Sequence, residues 1–202
     1  MLSRVEVAER MTAEEFFRRA PETQKAELID GVMIMASPPT DRHEKLQIFL
    51  LRLISEYVEQ LDLGEVRGSR TAVALAEDQV AEPDVLFVAK ARAGIIGDAG
   101  VFGAPDLVIE VLSASTAAYD RGPKFRAYER AGVHELWLID PYGPAGTEFY
   151  QRAGAAFKPV MPDANGVVHS IALPGFKLNV GWLWPQDKFI PVREALRVMG
   201  EA

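Results

Sequence analysis

The sequence predicts an α+β fold, a mixed β-sheet flanked by helices. Three observations carry this. Apolar strand-like runs and amphipathic helix-like segments alternate along the chain. Residues 107–112, 120–131 and 135–139 follow one another as strand, helix and strand, the pattern of a parallel crossover unit, which should be right-handed. Asp30-Gly31 and Asn165-Gly166 mark antiparallel hairpins towards the two ends. With 202 residues, 49% hydrophobic and 25% charged, the chain has enough apolar surface for one globular domain with a full core. It shows no internal repeat, low-complexity tract or dividing linker, so residues 1–202 are expected to form a single domain.

Thr12 opens Thr-Ala-Glu-Glu, a capping box with Glu15 at the third helical position, so a short helix should run to Ala20 before Pro21. Residues 26–35 form two apolar arms around Asp30-Gly31 and read as an N-terminal hairpin, ended by Ser37-Pro38-Pro39. A long helix is predicted over 41–61, with Leu46, Leu50, Leu53 and Tyr57 as its buried stripe. Strands are predicted over 66–75, 85–88, 107–112 and 135–139. The helix between the last two starts at Asp120 and Pro123 and stops at Gly132. C-terminal strands follow near 148–151, 157–160 and 167–173, and a last helix covers about 192–199. The Gly/Ala-rich stretch 90–104 reads as a loop and as the best candidate for a mobile flap.

The absence of cysteine excludes disulfides, thiolate zinc sites and a cysteine nucleophile, and fits a reducing compartment. Residues 1–10 lack the apolar segment of a signal peptide, and no apolar stretch reaches 18 residues, so a cytoplasmic location without membrane insertion is expected. The net charge of −7 argues against binding nucleic acid through the whole surface. Any polynucleotide must be held by a local patch and by metal ions.

Glu110 is the single charge in Leu107-Val108-Ile109-Glu110-Val111-Leu112, a run that reads as a strand buried on both faces. An unpartnered carboxylate there would cost several kcal/mol, so it should be protonated, paired or bound to a metal. Asp84, after Pro83, heads another strand, and Lys124 shares a helix face with Ala127, Tyr128 and Ala131. An inward lysine calls for a carboxylate partner, and Glu110 is the nearest in the motif. Magnesium needs only one or two carboxylates plus a substrate phosphate. Two strand carboxylates and a lysine therefore point to divalent-metal chemistry on phosphate, with Asp84 and Glu110 as ligands of magnesium or manganese.

These residues resemble a known family. Ala104-Pro105-Asp106-Leu107-Val108-Ile109-Glu110-Val111-Leu112-Ser113-Ala114-Ser115-Thr116 is similar to the signature of the Uma-type restriction endonucleases, within the PD-(D/E)XK nuclease superfamily. Asp120 with Lys124 and Tyr128 matches as well, as does Ala131-Gly132-Val133-His134-Glu135-Leu136-Trp137-Leu138-Ile139-Asp140-Pro141. So do the hairpin Glu27-Leu28-Ile29-Asp30-Gly31 and His43, and the resemblance spans roughly residues 10–185. It implies a restriction-endonuclease-like core, a magnesium-dependent endonuclease acting on nucleic acid with DNA favoured, and Asp84, Glu110 and Lys124 as the catalytic set. The superfamily lysine normally sits two residues after the glutamate, where this chain has Leu112. The resemblance implies that Lys124 replaces it from the following helix.

Glu27, His43 and Tyr128 are possible accessories of the site. His43 also fits a core histidine on the Leu46–Leu50 stripe, and Tyr128 reads as core before it reads as a base-stacking platform. Glu44 reads as a helix-cap residue three after Asp41 rather than a ligand, Glu82 as a rim residue, and His134 and His169 as structural or exposed. A homodimer is expected, built on the hairpin or the long helix. Two other readings stand beside the nuclease: a catalytically silent member of the fold acting as a binding or assembly module, and a metal hydrolase acting on a small phosphoester. No basic recognition helix is apparent, so sequence specificity is unreadable.

Overall fold

The computed structural model describes residues 10–21 and 23–201. Apart from Arg10, the stretch on which the signal-peptide reading rests lies outside the described residues. Helix α1 (Ala13–Arg19) begins with the predicted capping box: Glu15 N donates to Thr12 Oγ1 at 3.2 Å, and Thr12 N donates to Glu15 Oε2 at 2.8 Å. Its Phe16 packs on Ala26 and Leu28. Strands β1 (Ala26–Ile29) and β2 (Val32–Met35) form the predicted hairpin. Asp30 and Gly31 both take positive φ, 49° and 76°, which a two-residue turn of matching twist requires.

Helix α2 (Asp41–Gln60) is capped by Thr40, whose hydroxyl accepts His43 N at 3.3 Å. Leu46, Leu50 and Leu53 are completely buried, as the spacing predicts, each contributing roughly 1.5–3 kcal/mol. The strand expected over 66–75 is two strands, β3 (Gly64–Gly68) and β4 (Val73–Ala76), which enter different sheets. The chain turns between them at Gly68-Ser69-Arg70, and the φ of 81° at Arg70 is unusual for a side chain of that size.

Strands β5 (Gln79–Ala81) and β6 (Val85–Ala89) follow. The stretch expected as a flap over 90–104 folds instead into a 3-10 turn (Lys90–Ile95) and a hairpin of β7 (Ile96–Gly97) and β8 (Gly100–Phe102). Strand β8 adds to β4 in parallel, and Val101 is fully buried. Strand β9 (Leu107–Val111) is buried throughout. The next helix begins three residues before the predicted Asp120, as α3 (Ala117–Tyr119), passes through a π turn over Asp120–Lys124 and ends as α4 (Phe125–Ala131). Pro123 lies inside it rather than at its start. Because Pro123 has no N–H to donate, the ladder widens there, and Phe125 N reaches back to Asp120 O. Gly132, at φ 97°, stops the helix as predicted.

Strand β10 (Glu135–Ile139) runs parallel to β9 and completes the crossover unit. Strands β11 (Glu148–Ala153) and β12 (Ala156–Val160) form an antiparallel extension. Asn165-Gly166 turns as predicted, but the turn does not join two paired strands: β13 (Val167–His169) pairs with β14 (Lys177–Asn179). The strand expected to reach residue 173 stops at 169, because Ile171 N and Ala172 N turn to the Glu135 carboxylate at 2.9 and 3.0 Å. Helix α5 (Val192–Glu201) closes the described chain.

Two six-stranded sheets result, ordered β2-β1-β5-β4-β8-β7 and β12-β11-β10-β9-β6-β3. Along β9 the odd residues Leu107, Ile109 and Val111 join α2 and Trp137 in the largest core. The even residues Val108 and Leu112 pack with Tyr128, Leu136 and Leu138. Glu110 falls on this second face, between the sheet and the helix that carries Lys124.

Candidate active site

The register of β6 against β9 pairs Val85 with Ile109 and Leu86 with Val108. Continued by one residue, it sets Asp84 opposite Glu110 on one face, where facing Cβ atoms lie about 4.5–5.5 Å apart. A bond from Val111 N to Asp84 Oδ2 at 2.8 Å fixes that alignment. Gln47 Nε2 donates to Asp84 O at 3.2 Å, so α2 braces the same residue.

Asp84 and Glu110 have different partners. Asp84 Oδ2 also faces His43 Nε2 at 3.2 Å, and Oδ1 faces Lys25 Nζ at 3.1 Å. Burial works to raise its pKa, but Lys25, His43 and the Val111 amide hold it well below the usual carboxylate range. Burial likewise opposes charge on His43 and Lys25, yet Asp84 overrides it and shifts both upward. Glu110 Oε1 accepts from Tyr128 Oη at 2.5 Å and lies 2.7 Å from Lys124 Nζ. Its deep burial pushes the carboxyl up to about 8. Lys124 pulls it back, and Asp120 and Asp84 push it further.

Lys124 is 2% exposed and serves three carboxylates: Glu110 at 2.7 Å, Glu27 at 2.9 Å and Asp120 at 3.4 Å. Burial disfavours its charge, but these acids more than offset that and keep it protonated. The helix supplies Asp120, Lys124 and Tyr128 from one face at four-residue spacing, all buried. The π turn lies at this point, a distortion often found at functional sites. From the other side, β1 contributes Glu27, whose Oε1 also accepts Glu82 N at 2.9 Å.

The group lines an open cleft of about 550 Å³, with Lys25, Glu27, His43, Asp84, Glu110 and Lys124 in its wall. Among the described residues no three His, Asp and Glu side chains converge as a ready metal cage. The donor set nonetheless suits a hard divalent cation, since every anionic group is a carboxylate. Four of them, Glu27, Asp84, Glu110 and Asp120, meet only two lysines in these contacts, Lys25 and Lys124.

Asp84, Glu110, Lys124, Glu27 and His43 thus meet in one cleft, with Tyr128 directly behind Glu110. His43 meets Asp84 rather than a backbone group. Tyr128 is core, and its hydroxyl holds Glu110. Glu82, expected at the rim, is buried with its Oε2 3.9 Å from Arg70 Nε. The long helix is capped by Thr40, not Asp41, leaving Glu44 exposed on its first turn. Sequence reasoning missed Lys25, which has no local signal, and Asp120, whose place four residues before Lys124 was one. It also missed Tyr119, whose buried hydroxyl lacks a partner among the described residues. The second Pro-Asp pair plays no part in the cleft. Asp106 is tied by Ala89 N at 2.8 Å, Arg92 Nη1 at 2.8 Å and His134 Nδ1 at 3.1 Å.

Residues 13–181 match the Uma2 family, described as "Putative restriction endonuclease". The chain belongs to this family. An uncharacterized protein of Synechocystis sp. is 30% identical over 152 residues, 71% of this chain and 82% of that protein. A crystal structure from Anabaena variabilis, described as a "putative nuclease belonging to DUF820", shares the fold. It aligns with a TM-score of 0.71 over 86% of this chain and 97% of that one, at 18% identity. The Uma2 fold here is therefore the α+β arrangement read from the sequence, with β11 and β12 extending the sheet of β9 and β10 and the N-terminal hairpin built into the second six-stranded sheet. No helix among the described residues is long and apolar enough to cross a membrane.

Proposed function

We propose that this Uma2 chain is a magnesium-dependent endonuclease that hydrolyses phosphodiester bonds of nucleic acid, DNA in the first instance, through Asp84, Glu110 and Lys124. The observation that carries the reading is the facing pair Asp84–Glu110 at an open cleft, with the Lys124 ammonium 2.7 Å from Glu110. Asp84 and Glu110 are the residues to hold Mg2+ or Mn2+. A divalent cation bound there supplies Lewis-acid polarisation of the phosphoryl group and lowers the pKa of a water.

The chain's own groups do the rest. His43 and the Val111 amide orient the Asp84 carboxylate, and Tyr128 orients Glu110. Glu27 and Asp120 hold Lys124 charged and aimed, so its ammonium can offset charge building on the phosphoryl oxygens. With a net charge of −7, long-range attraction of DNA is weak, and the substrate is gripped at the cleft itself.

The test is calorimetric titration of Mn2+ into the wild type, Asp84→Asn and Glu110→Gln near pH 8. The reading requires binding in the wild type that both substitutions weaken at least tenfold. Equal binding in all three proteins removes these carboxylates from the site. One observation favours a second reading, a silent nuclease fold acting as a binding module: Lys25 and Lys124 already neutralise much of the site from within. Wild type that binds no metal, with or without a DNA oligonucleotide, would favour it.

A further inference from the structure

The mechanism above leaves one half-buried cation of the cleft unused. Lys25 precedes β1, and its main chain is anchored because Ala36 N donates to Lys25 O at 2.9 Å. Its side chain lies along the cleft wall, 22% exposed, with Nζ 3.1 Å from Asp84 Oδ1. Of the Asp84 carboxylate, Oδ2 is taken up by Val111 N and His43, so Oδ1 is the oxygen left to face an incoming cation. Lys25 also feels the charge of Glu110 as well as that of Asp84. It therefore stands against Asp84 and within the electrostatic reach of Glu110, the two carboxylates proposed to share a metal.

The two lysines differ in how they are held. Lys124 is sealed at 2% exposure among three carboxylates. Lys25 has a single close carboxylate and a solvent-facing flank on a long flexible stem. One lysine is built in, and the other can be displaced.

Building on the metal-dependent reading, we propose that Lys25 is a displaceable counter-ion: it occupies Asp84 Oδ1 until a divalent cation arrives, then swings to the cleft mouth, where its ammonium contacts the substrate phosphate. Lys25 thus lowers metal affinity in the absence of substrate and contributes to substrate binding in its presence. Metal and polyanion should then bind cooperatively, because each relieves a cost of binding the other.

The experiment titrates Mn2+ into wild type and Lys25→Met by calorimetry, with and without a non-cleavable phosphorothioate DNA oligonucleotide. A neutral side chain of similar length removes the competing charge, so Mn2+ alone should bind Lys25→Met at least about tenfold more tightly. The oligonucleotide should strengthen Mn2+ binding in the wild type and do so less in the variant. Unchanged or weaker Mn2+ binding in Lys25→Met overturns the inference while leaving the metal site standing. A protein in which neither form binds Mn2+ under any condition overturns both.

A second measurement needs no substitution. Amine labelling of the wild type, read by mass spectrometry, should show Lys25 becoming several-fold more reactive on adding Mn2+ while Lys124 stays protected. Equal protection of Lys25 with and without Mn2+, in a protein that binds the ion, would also overturn the proposal.

Discussion

Replacing Lys124 by Met is the sharpest perturbation of the site's internal balance. The ammonium is 2% exposed and lies 2.7, 2.9 and 3.4 Å from three buried carboxylates. Methionine fills much of the volume, so the loss is almost purely electrostatic. Removing one partner of a buried ion pair costs about 3–5 kcal/mol, because the remaining charge is stranded. Three carboxylates share this cation, which places the expected cost in the upper part of that range. Urea unfolding at pH 8 measures it. The penalty should also depend on pH. Without Lys124 the Glu110 carboxyl, already raised by burial, is pushed up further, so the folded variant holds its proton to higher pH and the deficit grows as pH rises through about 8 and shrinks below it. Adding Glu110→Gln removes one stranded charge and should recover part of the loss, a coupling of about 0.5–3 kcal/mol. A cost below about 1 kcal/mol that does not vary with pH is the behaviour of an exposed pair, and would refute the buried hub.

Three further outcomes follow from the same contacts. Glu110 titrates near 8 in the folded protein against an ordinary 4.5, so its ionisation opposes folding and its share of stability is lost as pH rises through about 8. Mn2+ binding needs that ionised form, so affinity should climb from pH 6 to about 8 and then level off; calorimetry showing no change across pH 6–9 would contradict this. Glu135 is completely buried and accepts from Ser170 Oγ, Ile171 N, Ala172 N and Trp137 Nε1, so Glu135→Leu should cost at least about 3 kcal/mol in urea unfolding and leave Mn2+ affinity unchanged. A loss below 1 kcal/mol would show that those donors find other partners. The expected homodimer is checked by light scattering at micromolar concentration, where the mass of a 22.3 kDa monomer would dismiss it.

The legible parts of the fold were those written in local chemistry. The capping box at Thr12, the Asp30-Gly31 turn, the α2 stripe and the Gly132 stop each depend on a few adjacent residues. The misread parts depend on distant ones. The break at Arg70 follows Gly68-Ser69, a turn pair that the apolar residues on either side outweighed, and the end of β13 is decided by Glu135, more than thirty positions earlier. Pro123 favours a helix start by its fixed φ, yet here it sits within a helix because the π turn accommodates its missing N–H. At the site, Glu110 declared itself because a lone charge in an apolar strand demands a partner. Asp84 and Lys124 followed from motif spacing and helix face. Lys25 could not be read in the same way, since only the packing of β1 against the segment before β6 brings it to the cleft.

The central claim is that this cleft breaks phosphodiester bonds through Asp84 and Glu110. Incubation of supercoiled plasmid with Mg2+ or Mn2+ and wild type, Asp84→Asn or Glu110→Gln, read on agarose gels, tests it most directly. The account predicts nicked or linear DNA with the wild type, and at least a hundredfold slower conversion with either variant, the scale set by losing about 3 kcal/mol of transition-state stabilisation. Cleavage that persists undiminished in Glu110→Gln, or a wild type that binds Mn2+ and DNA but never cuts, would contradict it.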